Sequence, residues 1–296
     1  MIPIRQYYTE EVKEAHWKRV ESILSNDELK KINNLIKADN RFRLFKDVKG
    51  LITASYEDLQ KSYSLLLKNN KVSIDISFLR DLYTKVFVNK KKFHVALVDD
   101  LGLKTCPYCN RGYIYSTRRG IGKSEPKNTC QLDHFFDKGK YPYFALSLFN
   151  LIPVCSSCNH SKQSTNFEKS PFEIVDVDEC FKFSLNYTEA DYTKPDAFTV
   201  TLKVREEKFC KQEETLGLTK LYEKHNDIGH ELFLKQHIYS EDRIRELCES
   251  FPELFNSPNE VRQLVLGNYI DKKDVGKRPL AKMTRDIMLQ LKFIEE

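Results

Sequence analysis

Two stretches decide how this chain is read: KTCPYCNRGY at residues 104–113 and NLIPVCSSCNHSK at residues 150–162. Each holds a Cys-x-x-Cys pair, Cys106 with Cys109 and Cys155 with Cys158. Two thiolates on one tight turn can reach the same metal at about 2.3 Å, and two such pairs complete a closed, tetrahedral structural zinc (Zn²⁺) site. The 45 residues between Cys109 and Cys155 exceed the ~15–20 of a simple zinc ribbon. The intervening chain must therefore fold back, and zinc would staple its base.

A redox reading competes, because Cys106-Pro107-Tyr108-Cys109 is also the string of thiol-disulfide oxidoreductases of the glutaredoxin kind. That chemistry wants a strand before the pair and a helix after it. Here Asn110-Arg111-Gly112-Tyr113-Ile114-Tyr115 favours a turn and then a strand, and the second pair is left unexplained. Zinc is the favoured reading, with thiol exchange as the alternative. The scattered Cys130, Cys180, Cys210 and Cys248 are expected to be buried as small hydrophobes.

Working outward, 41% hydrophobic and 31% charged residues over 296 positions describe a globular chain. No run approaches the ~20 apolar residues of a membrane helix, and the opening MIPIRQYYTEEVKE has no apolar core for a secretion signal. A soluble cytoplasmic protein with no membrane partner is expected. Residues 104–170 hold ten Lys and Arg against four Asp and Glu, while the whole chain carries only +5. Positive charge is thus concentrated around the cysteine pairs, which suggests a polyanionic partner.

Residues 1–103 read as helical. Trp17, Val20 and Leu24 recur at helical spacing, and Ser25-Asn26-Asp27-Glu28 has capping-box form. A third helix follows Ser55, and a fourth carries Ile76, Leu79, Tyr83 and Val86. In residues 171–296, Phe181, Phe183, Leu185 and Tyr187 alternate, as do Phe198, Val200, Leu202 and Val204, which predicts a hairpin. Helices follow, one opening at Ser257-Pro258-Asn259-Glu260 and the last near Pro279.

The segment between the pairs carries the chemistry. Asp133 is a hard oxygen ligand suited to Mg²⁺ or Mn²⁺, and His134 can act as a general base near neutral pH. Asn159 and Lys162 lie three apart, on one face if a helix begins near Cys155. A carboxylate, an imidazole, an amide and a cation inside a basic segment are what phosphodiester hydrolysis requires. Arg111, Arg118, Arg119, Lys123, Lys127, Lys138 and Lys140 are candidates to hold a nucleic-acid backbone, about half of them expected to be plain exposed charges. Tyr113, Tyr115, Tyr141 and Tyr143 fit packing better than base stacking.

Residues 104 to about 166 resemble the HNH (ββα-metal) endonuclease superfamily, in its form with two zinc-binding Cys-x-x-Cys pairs. The Asp133-His134 dipeptide, Asn150, Asn159 and Lys162 match its signature positions. DHFFDKGKYP, NLIPVCSSCN and the late RPLAKMTRDI (278–287) more narrowly resemble PtuB-type HNH nucleases of Septu and retron anti-phage systems. The resemblance implies an α+β fold, a mainly helical chain around a central zinc-stapled ββα module at 104–170, with an additional β-hairpin after it. It also implies a structural zinc on Cys106, Cys109, Cys155 and Cys158, and a catalytic Mg²⁺ or Mn²⁺ on Asp133 and Asn159, with His160 as the alternative to Asn159. His134 would be the general base, Asn150 would brace the loop and orient it, and Lys162 would offer a point charge to phosphate or sit on a solvated helix face. A nucleic-acid substrate and an ATPase partner are implied with it. A zinc-stabilised nucleic-acid-binding module without catalysis is the alternative from another class.

Overall fold

A computed structural model describes residues 1–118, 126–187 and 191–295 as a mixture of helices and three two-stranded antiparallel sheets, an α+β structure. Two compact units are present. One comprises Ile4–Leu103 with Ile114–Phe172, the other Met1–Pro3, Lys104–Tyr113 and Glu173–Glu296.

The first unit opens with α1 (Glu10–Glu21), α2 (Asn26–Ala38), α3 (Val48–Ile52) and α4 (Tyr56–Leu66). Each starts at a side chain that accepts from the first turn: Thr9, Ser25, Asp47 and Ser55. Ser25 and Glu28 form the full capping box expected from the sequence. Such caps satisfy amides that the helix cannot, and each contributes about 1 kcal/mol.

The fourth predicted helix is not one regular helix. It runs as α5 (Phe78–Asp81) and then as a π-helical segment, Leu82–Lys90, ahead of α6 (Phe93–Leu101). Along this run Leu79, Tyr83 and Phe87 are buried while Val86 is half-buried. Next come β1 (Ser116–Arg118) and β2 (Pro126–Asn128), paired with each other, then β3 (Cys130–His134), β4 (Leu151–Cys155) and α7 (Ser156–Lys162). Strands β3 and β4 are in register from Cys130 opposite Cys155 to His134 opposite Leu151.

The helical stripes of the first hundred residues find their apolar partner in the connection between β3 and β4. Tyr56 packs on Phe135 and Phe136, Tyr63 on Phe136 and Tyr141, and Phe42 on Tyr143 and Phe144. Rings of this size each bury about 150–250 Å². They make this connection part of a core.

The second unit is built on β5 (Phe181–Tyr187) and β6 (Phe198–Val204), the predicted hairpin, with α8 (Cys210–Leu216), α9 (Leu218–Tyr222), α10 (Asn226–Ile238), α11 (Glu241–Ser250), α12 (Pro258–Leu266) and α13 (Ala281–Gln290). Helix α10 crosses the hairpin closely. A Cβ on its Gly229 would stand 2.6 Å from Leu185 Cδ1 and 2.9 Å from Val200 Cγ2. Helix α13 begins two residues after the expected Pro279, because Leu280 takes a left-handed conformation with φ 62°. Cys130 and Cys180 are buried and Cys248 half-buried, but Cys210, at the start of α8, is exposed, contrary to expectation. No helix among the described residues is long and apolar enough to cross a membrane.

Candidate metal centre and active site

The sulfurs of Cys106, Cys109, Cys155 and Cys158 lie within 4.8 Å of one another. Four converging thiolates form a donor set suited to a metal ion such as zinc. Around the first pair, the turn is closed by Asn110 N donating to Cys106 O (2.8 Å) and Cys106 N donating to Gly112 O (3.0 Å). Arg111 N donates to Cys109 Sγ at 3.4 Å, a contact that a thiolate strengthens. Asn110 fastens this turn to the start of α13: its Nδ2 donates to Val275 O at 3.0 Å, and its carbonyl accepts from Leu280 N at 2.7 Å. Cys130 stands outside the four. Burial pushes its thiol up to about 12, with Cys155 adding to the shift, so it stays protonated and apolar.

The second arrangement lies on β3 and α7. Along a strand, residues two apart face the same side. Gln131 and Asp133 therefore both address α7, where Asn159 and Lys162 are three apart. Asn159 Nδ2 donates to Gln131 Oε1 at 2.5 Å, and Lys162 Nζ donates to Asp133 Oδ1 at 3.0 Å. Lys162 Nζ also donates to the carbonyl of His134 at 3.2 Å, and its side chain is 0% exposed. This corrects both expectations for Lys162: it is neither a solvated charge nor a point charge offered to phosphate. It holds the acid–imidazole dipeptide from beneath.

His134 is the last residue of β3, and the chain turns away immediately after it. That ending lets neighbours of opposite strand parity share a site, and Asp133, His134, Asp137, Lys138, Asn159 and Gln163 line one cavity of about 150 Å³. His134 Nε2 lies 3.0 Å from Ala145 O. A carbonyl can only accept, so Nε2 carries the proton and Nδ1 is the basic atom. Burial, with Lys138 and Lys162 nearby, lowers the imidazole to about 3 against the opposing pull of the Ala145 carbonyl, so the ring is neutral at physiological pH. Tyr83 packs on the imidazole, the two rings nearly perpendicular with centroids 4.5 Å apart. The half-buried Lys138 sits 5.1 Å over the same tyrosine ring. Burial lowers the Lys138 ammonium, while Asp137 and Asp133 pull the other way.

Asn150, fully buried, braces the loop. Its Oδ1 accepts from Phe136 N (2.7 Å), and its Nδ2 donates to Phe136 O (3.1 Å) and Phe144 O (2.9 Å). It does not touch His134. It fixes the loop whose next carbonyl, Ala145, receives the ring.

The structure thus brings Asp133, His134 and Asn159 together, with Asn150 and Lys162 supporting them. His160 is exposed and does not line the cavity. Of the expected backbone-holding residues, Lys138 faces the cavity, while Lys127 and Lys140 are exposed. Arg111 is half-buried and committed elsewhere, its Nε 3.1 Å from His225 Nε2 and its guanidinium 6.0 Å from the Tyr222 ring. Arg118 ends β1, and Arg119 and Lys123 lie outside the described residues. Tyr141 and Tyr143 are buried in the core, whereas Tyr113 and Tyr115 are 45% and 40% exposed.

Gln131 and Gln163 were not singled out from sequence, and Tyr83 was read only as one of a helical stripe. Gln131 had a signal, since it lies two residues before Asp133 on a strand. Gln163 ends α7 with φ 46°, a conformation unusual for a residue with a side chain, and nothing local announces it.

No family model matches the chain, and no curated protein or solved structure is significantly similar to it.

Proposed function

We propose that the protein is a metal-dependent HNH-type endonuclease that hydrolyses phosphodiester bonds in nucleic acid, DNA in preference to RNA. The observation that carries this reading is the shared cavity of Asp133, His134 and Asn159 at the end of β3 and the face of α7. The chain order β3, β4, α7 supports the ββα reading drawn from the sequence resemblance, and the four-sulfur group supports a zinc staple at its base.

The donors fit a hard divalent ion: a carboxylate and an amide oxygen, with no sulfur among the cavity residues. Asp133 and Asn159 would hold Mg²⁺ or Mn²⁺, with Lys162 Nζ bonded to Asp133 Oδ1. A bound divalent ion supplies charge neutralisation at the scissile phosphate. His134 Nδ1 takes the proton of the attacking water as its oxygen bonds to phosphorus and the bond to the departing sugar oxygen breaks. The Ala145 carbonyl holds the ring in the required tautomer. Lys138 takes the role first assigned to Lys162, donating to a non-bridging phosphate oxygen. The resemblance extends the proposal to an anti-phage effector working with an ATPase partner.

Incubating the purified chain with plasmid, single-stranded DNA and tRNA, with Mg²⁺, Mn²⁺ or chelator, tests the proposal. Metal-dependent cutting that His134→Ala reduces by at least about a hundredfold is expected. Retarded migration of nucleic acid without cutting would instead establish a binding module, and equal cutting by His134→Ala would remove the base.

A further inference from the structure

We infer that Gln131 is a positioning residue that holds the Asn159 amide with its oxygen toward the divalent cation. This rests on the nuclease reading above. An asparagine side chain has one oxygen and one NH₂ group, related by a half-turn of the amide. Only the oxygen can bind a hard cation. An amide at the rim of a cavity, left to itself, presents either end. Gln131 Oε1 accepts from Asn159 Nδ2 at 2.5 Å, so the nitrogen is committed to β3 and the oxygen is left as the ligand atom.

The placement follows from the two repeats that meet here. Gln131 and Asp133 are two apart on β3, and Asn159 and Lys162 are three apart on α7, giving two rungs between strand and helix. The Lys162 rung is buried and structural. The Gln131 rung sits at the exposed edge, where Gln131 is in solvent and Asn159 half-buried. Gln131 therefore contributes little to packing, and its effect on the cation can be read apart from stability. The two amides could also exchange roles together by a double flip. A cation on Asp133 breaks that symmetry, and Gln131 then reinforces the orientation that binds.

The test is Mn²⁺ binding to the zinc-loaded chain, followed by electron paramagnetic resonance, without reference to cleavage. Gln131→Leu should weaken Mn²⁺ binding about tenfold, as loss of a partner behind a metal ligand does, with an unchanged melting temperature and zinc content. Gln131→Glu, which can only accept, should bind at least as tightly as the unaltered chain, and Gln131→Lys, which can only donate, should bind more weakly than Gln131→Leu. Repeating Gln131→Leu in an Asn159→Ala background separates the amide from simple charge or solvation, because there the substitution should have no effect. Equal Mn²⁺ affinity in the unaltered chain and Gln131→Leu, or the same loss with Asn159 absent, overturns this assignment alone. An unaltered chain that binds no Mn²⁺ overturns the nuclease reading and this assignment with it.

Discussion

Lys162 Nζ stands 3.0 Å from Asp133 Oδ1, with the two side chains 0% and 4% exposed. An ion pair this far out of water is held by the fold around it, and each partner is costly once the other is gone. Lys162→Met leaves the Asp133 carboxylate without its ammonium partner and should lower unfolding stability by about 3–5 kcal/mol in urea titrations. Asp133→Asn combined with Lys162→Met should recover much of that loss while remaining inactive. A single Lys162→Met variant within about 1 kcal/mol of the unaltered chain, the range of surface pairs, would mean that the pair does not carry this load.

Zinc content distinguishes the cysteines. Cys155→Ser removes one of four sulfurs and should reduce bound zinc and thermal stability together, since a structural metal site adds its binding energy to folding. Cys130→Ser, directly across the ladder from Cys155 but outside the four-sulfur group, should keep a full complement of zinc by elemental analysis. Equal zinc loss from both variants would show that the fifth cysteine is a ligand.

The choice between Asn159 and His160 is equally open to measurement. Asn159→Ala should raise the Mg²⁺ concentration needed for half-maximal cleavage by at least about tenfold. His160→Ala, altering an exposed ring away from the cavity, should leave that concentration within about twofold, the range of a surface change. The reverse order would reassign the ligand.

Acid stability follows from His16. Burial lowers its imidazole from 6.5 to about 4 in the fold, with Arg19 adding to the shift and the Leu146 carbonyl and Asp100 opposing it. Its Nε2 lies 2.8 Å from Leu146 O, and Nδ1 is buried without a hydrogen-bond partner. The unfolded chain therefore binds a proton that the fold refuses. Stability is complete above pH 6.5 and falls as the pH drops toward 4, by up to about 3 kcal/mol. His16→Gln should flatten the decline in that window when unfolding is followed at pH 7, 5.5 and 4. An unchanged slope would place the acid sensitivity elsewhere.

Much of this was legible because the relevant signals are local. Alternation with period two gave the Phe181–Tyr187 and Phe198–Val204 strands, and Ser25 with Glu28 gave a helix start. The two cysteine pairs anticipated the four-sulfur group. What escaped depends on distant partners. A lysine on a short polar helix reads as solvated, and only Asp133 beneath it makes Lys162 a buried residue. Tyr83 reaches His134 from a π-helical segment fifty-one positions earlier in the chain. Arg111 sits in the basic stretch, yet His225 and Tyr222 claim it. Leu280 needed a left-handed backbone that its side chain does not advertise.

The five-pair ladder of β3 and β4 has a cysteine pair at one end and His134 opposite Leu151 at the other. Because strand side chains alternate, sliding one strand by a single residue turns every one of them to the wrong side. Such a slip of β3 would part Asp133 from Lys162 and carry Cys130 away from its place opposite Cys155. A gene variant that inserts or deletes one codon between positions 130 and 134 should therefore abolish the acid–imidazole arrangement whatever residue the codon specifies.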